Sequence, residues 1–179
     1  MDAEPFNDLM ASLDGPMAVV TAAISGERAG CLIGFHVQCS IHPPRYAVWL
    51  SKANHTCRVA MLSEHLGLHL LAEDDRPLAQ LFGTLTGDEV DKFTRCDHDT
   101  GPGGVPLLTA CRNRLVLRRT ALLDDGSDHV CIVGEVVTVV SSGRLRPLRL
   151  QQVLDLTPGH GVDERPRPPT ERAGDPLAR

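Results

Sequence analysis

The residues of this chain that could do chemistry stand at the ends of apolar runs. "SKANHT", residues 51–56, sets Ser51, Lys52, Asn54 and Thr56 where a β-rich segment passes into a helix-like one. Hydroxyls, a lysine and the N–H groups of a helix N-terminus form a cradle for a phosphate. Plain capping by Asn54 and Thr56, with an exposed lysine, explains the same residues equally simply. "DEVDKF", residues 88–93, adds a second cation, Lys92, next to an aromatic ring, Phe93. In "SDHV", residues 127–130, His129 stands at the mouth of an apolar strand just past a turn. A lone histidine in that place is commonly structural. Together these pieces describe one end of a barrel with room for a phosphate and a ring.

"GCLIGFHVQCSIHPP", residues 30–44, carries Gly30, Gly34, His36, Gln38, Cys39 and Ser40 among its apolar residues, then stops at Pro43-Pro44. A strand facing only a core has no use for that content, so this one is expected to face a ligand as well. There is no GxGxxG, P-loop, HExxH or diagnostic nucleophile–base spacing. The six cysteines (31, 39, 57, 96, 111 and 131) form no CxxC pair and read as reduced thiols acting as small hydrophobes. Cys96, His98 and Cys111 lack the paired spacing of a zinc site, and no metal is expected.

These groups need elements to position them. The chain has 179 residues, 42% of them hydrophobic but only 3% aromatic, so a single domain with a Val, Leu, Ile and Ala core is expected. A net charge of −5 without a Lys/Arg cluster argues against nucleic acid and anionic membrane surfaces. No apolar run is long enough to span a bilayer, and the acidic start lacks the features of a signal peptide, so a cytoplasmic location is expected. Residues 1–15 form a lead in which Phe6, Leu9, Met10 and Leu13 mark a short helix packed on the body. "MAVVTAAI" and a returning strand over 29–40 make a hairpin, and 45–51 adds a third strand in an antiparallel meander. A helix over 54–65, a strand over 66–72 and a helix with Leu78, Leu81, Phe82 and Leu85 on its buried face follow. After a loop over 97–106, two long strands, 108–122 and 128–141, flank an Asp125-Gly126 turn. The second is apolar on both faces, as suits packing against a helix or a second subunit. The proline-rich stretch 157–179 reads as a disordered tail after a domain spanning 16–156. The fold class is mainly β, an antiparallel barrel with inserted helices.

The order of "LSKANHT", "LLAED", a helix ending in "LF", "DKF", "GVPLL" and "DHVCIVGEVV" after a glycine-led strand ending in S-x-x-P-P resembles the flavin reductase-like family of FMN-binding split-barrel proteins, over about Pro16 to Ser141. The resemblance implies a six-stranded split barrel that forms a homodimer with flavin at the interface. It implies a ring site along Leu32, Ile33, Gly34, Phe35, His36, Gln38, Cys39 and Ser40, used largely through main-chain groups. It also implies a phosphate site at Ser51, Lys52, Asn54 and Thr56, with Lys92 and Phe93 approaching the cofactor or closing the site. His129 corresponds to the family histidine that places nicotinamide or substrate. The implied activity is hydride transfer from NAD(P)H to FMN and on to free flavin or another acceptor, with a monooxygenase as a candidate partner. Leu32, Gly34 and Phe35 replace three hydroxyl residues of the usual motif, His36 its phenylalanine, Gln38 a serine and Ser127 a glycine. FAD or a deazaflavin in the same groove, a non-catalytic flavin carrier or redox sensor, and haem on His36 or His69 are the alternatives.

Overall fold

Strand β1 (Ala18–Ile24) shows how the chain divides its apolar residues. Alternate side chains of a strand point to opposite faces; Ala18, Val20 and Ala22 join one buried cluster, Met17 and Val19 another. In the computed structural model, which describes residues 4–159, β1 lies in a seven-stranded sheet. The other strands are β2 (Glu27–Ile33), β3 (His36–Ser40), β4 (Arg45–Ser51), β5 (His65–Leu70), β8 (Arg114–Leu123) and β9 (His129–Val140), in the order β2-β1-β5-β8-β9-β4-β3. Every pairing is antiparallel. The β1–β2 hairpin turns on Ser25 and Gly26, whose φ angles of 51° and 86° are those of a turn that matches strand twist.

The expected single strand over 29–40 is two strands, which is why the sheet has seven rather than six. β2 is one edge of the sheet and β3 is the other, with Gly34 and Phe35 alone between them. Three residue steps from Ile33 to His36 reach at most about 10 Å. The sheet must therefore curl until its edges nearly meet, and the expected three-strand meander is broken at that point. The result is a half-barrel split between β2 and β3.

Helix α2 (His55–Leu62) fills the curl, where Cys57, Val59 and Ala60 pack with Leu50, Leu66, Leu68, Leu117 and Ile132. Helix α3 (Arg76–Thr84) covers the other face of β1 and β2 with Leu78, Ala79 and Phe82, while Leu81 and Leu85 are half-buried. Phe82 accounts for the glycine at position 30: a Cβ there would lie 2.8 Å from its ring. The expected 97–106 loop holds a small two-stranded ladder of β6 (His98–Thr100) and β7 (Pro106–Leu108).

Two apolar faces differ from expectation. Helix α1 (Glu4–Ser12) forms, but Phe6, Leu9, Met10 and Leu13 are exposed rather than packed on the body. The first half of β9 is buried, whereas Val137, Val139 and Val140 are bare, as are Val37 and Ile41 on and after β3. Of the stretch expected to form a tail, residues 160–179 lie outside the described residues. No helix among the described residues is long and apolar enough to cross a membrane.

His69, fully buried on β5, ties the ladder to the body. Its Nδ1–H donates to Val19 O at 3.1 Å and its Nε2 accepts the Leu108 N–H at 3.0 Å. Both ring nitrogens are engaged, so no lone pair is left for haem iron. Burial pushes this imidazole down to about 4 from an ordinary 6.5, because a charged ring would lose its water. The folded protein thus binds this proton less readily than the unfolded chain. The stability tied to neutral His69 is complete above pH 6.5 and drains away as pH falls toward 4, by about 3 kcal/mol. Urea unfolding at pH 7 and pH 4 should show that loss, and the His69 ring should titrate near 4 by NMR; a value near 6.5 would refute the assignment.

Candidate active site

The split between β2 and β3 opens a cleft of about 470 Å³, within the size range of small-molecule sites. One side is built from the end of β2 and the strand break, Cys31 to Phe35, with Trp49, Ser51, Asn54 and His129 beside them. The other side is the end of α3 and the residues after it, Phe82, Gly83, Leu85 and Thr86, together with part of the segment 150–158. Of the sequence-predicted site residues, the cleft brings together Leu32, Ile33, Gly34, Phe35, Ser51, Asn54 and His129.

Its polar end is formed by two elements held edge to edge. Ser51 closes β4 directly opposite His129, which opens β9. The Lys52 N–H donates to Asp128 O at 2.9 Å, and Lys52 Nζ reaches Asp124 Oδ1 at 2.6 Å. Hydrogen bonds from Lys52 and from the Gly126 N–H hold the Asp124 carboxyl below the usual carboxylate range. Asn54 caps α2, its Oδ1 accepting the Thr56 N–H at 2.9 Å. The Thr56 side chain is buried behind the wall beside Cys31. Burial pushes the Cys31 thiol up to about 11, so it lines the cleft as an uncharged hydrophobe.

His129 Nδ1 donates to Asp128 Oδ1 at 2.9 Å, which puts the neutral ring's lone pair on Nε2. The same ring lies 5.3 Å from that of Phe35, tilted by 58°. Phe35, 63% exposed, has left the ladder except that its carbonyl accepts the Trp49 N–H at 3.0 Å.

The remaining predicted residues stand elsewhere. His36 is spoken for on both nitrogens, by the Tyr46 hydroxyl at 2.8 Å and Pro16 O at 3.0 Å. Burial lowers its pKa and raises that of Tyr46. Gln38, Cys39 and Ser40 run down β3 away from the cleft, Gln38 bonding to Ser40 O. Lys92 is 4% exposed; its Nζ donates to Leu85 O at 2.8 Å, 5.5 Å from the Phe82 ring centre. Burial pushes its ammonium pKa down. Lys92 and Phe93 therefore brace the cleft from behind and face a second hollow that also includes Arg28 and His55.

Sequence reasoning missed Met17, Trp49, Phe82 and the wall formed by 150–158. The last carried a legible signal, since Leu150, Val153 and Leu154 follow the i, i+3, i+4 spacing of a helical turn.

The residues present fit a flavin. A slot with apolar walls accommodates a flat ring, the strand break lets that ring meet main chain, and the Ser51–Asn54 end offers phosphate partners. Fold and cleft define a split-barrel protein of the flavin reductase class. The chain belongs to the family described as flavin reductase like domain, whose model matches residues 10–152. It is 29% identical over 139 residues to a ferric-chelate reductase (NAD(P)H) of Archaeoglobus fulgidus, covering 76% of this chain and 79% of that protein. It is 30% identical over 138 residues to FMN reductase (NADH) SmoA of Agrobacterium fabrum, covering 76% and 75%. The fold matches the crystal structure of a flavin reductase domain protein from Arthrobacter sp. FB24, with a TM-score of 0.75, 22% identity and coverage of 84% and 92%.

Lys52, expected from the sequence to meet a phosphate, is paired instead with the Asp124 carboxylate. Lys52→Met should weaken FMN binding roughly 10- to 100-fold, the value of one charge-assisted hydrogen bond, and leave riboflavin binding unchanged. Asp124→Asn, which frees the lysine, should tighten FMN alone. Titration of both ligands against each variant, followed by Trp49 fluorescence, checks this; equal effects on FMN and riboflavin would exclude Lys52 as the phosphate partner.

Proposed function

We propose that this protein is an NAD(P)H-dependent flavin reductase that binds FMN in the β2–β3 cleft. The observation that carries this reading is the convergence of Leu32 to Phe35, Ser51, Asn54 and His129 on one ring-sized slot with a polar end. When bound, FMN would supply acceptance of a hydride from the nicotinamide and its onward transfer. The chain's own part is placement. Lys52 and the start of α2 hold the phosphate, and main chain at residues 32–35 lies along the ring. Apolar side chains on both walls exclude water. His129, oriented by Asp128, packs the nicotinamide against the ring, with Phe35 forming the adjoining edge.

The similarity to an FMN reductase supports both the cofactor and the reductant. Among the described residues the cleft lining contains no lysine, arginine or carboxylate, and Lys52, just beyond its polar end, is paired with Asp124, which favours a flat, largely uncharged acceptor such as free flavin over an anionic ferric chelate. A flavin carrier without turnover is the second reading, favoured by the loss of the motif's hydroxyls at Leu32, Gly34 and Phe35.

The bare valines of β9 support a homodimer. Val136 N–H bonds to Pro44 O, so the exposed end of β9 runs beside the turn carrying Ile41. An apolar strip of this kind on a sheet calls for a covering partner, and a second copy would cover it.

Steady-state oxidation of NADH and NADPH with added FMN tests the function: turnover supports reductase, and tight flavin binding without turnover supports the carrier. In the reductase, His129→Ala should raise KM for the nicotinamide by about tenfold with a smaller change in kcat, as for a positioning residue. Val139→Asp should convert a dimer to monomer in light scattering, whereas an unchanged mass would remove β9 from the interface.

A further inference from the structure

The wall at 150–158 differs in construction from the rest of the cleft. Its root is fixed: Leu148 and Val153 are buried, Leu148 exchanges hydrogen bonds with Leu71 and Met17, and the Leu150 N–H donates to Gly15 O. Beyond Val153 the chain touches the body at half-buried Leu156 and at Gly159, packed close on the Thr84–Leu85 backbone, while Leu154, Asp155, Thr157 and Pro158 are exposed. Leu154 lines the cleft yet is 59% exposed. Between residues 155–158 and helix α3 lies a gap of about 650 Å³. That gap is spanned by an ion pair in which Arg76 Nη2 donates to both Asp155 Oδ1 at 2.8 Å and Oδ2 at 2.6 Å. A Gly159 N–H bond to Gly83 O at 3.3 Å closes the far end. Arg76 and Asp155 are 39% and 67% exposed in their side chains, so water and salt compete for the pair.

We propose that residues 154–158 are a movable strap on the cleft, hinged at Val153 and latched by Arg76–Asp155, that opens to admit the second substrate and closes Leu154 and Leu156 onto its ring. Identifying that substrate as a nicotinamide rests on the reductase reading, but the motion of the strap does not. Arg76 and Asp155 are positioning residues: they touch no substrate and act through the apolar residues of the strap. A latch weak enough to be opened by solvent, on a hinge that stays buried, suits a site that must exchange ligands every cycle.

The single tryptophan of the chain, Trp49, lines the cleft and reports on the strap directly. Acrylamide quenching of Trp49 is compared in the wild type, Arg76→Gln, Asp155→Asn and the charge swap Arg76→Asp/Asp155→Arg, with KM and kcat for NADH measured alongside. Loss of an exposed pair should raise the quenching constant roughly twofold and KM about fivefold, with kcat and FMN affinity nearly unchanged. The swap should restore both values, and the wild type in 1 M salt, where the Debye length falls to about 3 Å from about 10 Å at 0.1 M, should resemble the single variants. If the wild type shows no turnover but quenching rises in the single variants and returns in the swap, the strap stands and the reductase reading falls. Unchanged quenching in both single variants overturns the strap, whether or not the protein turns over.

Discussion

A chain that passes from one edge of a sheet to the other through two residues cannot leave that sheet flat. Gly34 and Phe35 are that passage, and the rest of the molecule answers to it. The sheet curls to bring β2 near β3 and β4, and α2 fills the hollow that curling creates. The edges still do not ladder together, because the two linking residues have stepped out of line. The cleft is the space where barrel closure fails.

The walls of that space are stiffened from behind. Phe82 lies against Gly30 so closely that no larger residue fits, which locks α3 to the edge strand. Lys92 spends its charge on the Leu85 carbonyl and the Phe82 ring, an unusual use of a lysine that ties the chain after α3 to the cleft's rear. Cys31 and Thr56 complete this layer, uncharged and out of solvent. One wall is thus part of the core, whereas the wall opposite rests on surface contacts. Rigidity and access are divided between them.

Local chemistry in the sequence was legible where local rules decide the outcome. The Ser25-Gly26 turn, the Asp125-Gly126 turn and the Asn54 cap follow from backbone preference. The apolar stripe of α3 follows from helical spacing, and the ends of the cleft, Ser51–Asn54 and His129, fall where strands finish. The strand break at Gly34-Phe35 was not legible, because residues 29–40 satisfy a continuous strand and only pairing with distant β1 and β4 splits them. The burial of Lys92 was hidden for the related reason that a lysine reads as solvated until its neighbours are known. The exposed half of β9 and the bare face of α1 show the converse: apolar pattern announces that a surface wants cover but not which molecule supplies it.

Asp124 adds a consequence about time rather than shape. A carboxylate is already seated on Lys52, so on the proposed reading of Lys52 as the phosphate partner an arriving phosphate must displace it. The incoming anion gains only the difference between two negative partners. Affinity is reduced by that competition, and residence is shortened with it. On that reading the protein would handle flavin as traffic, loading and releasing it, instead of keeping one molecule as a permanent part.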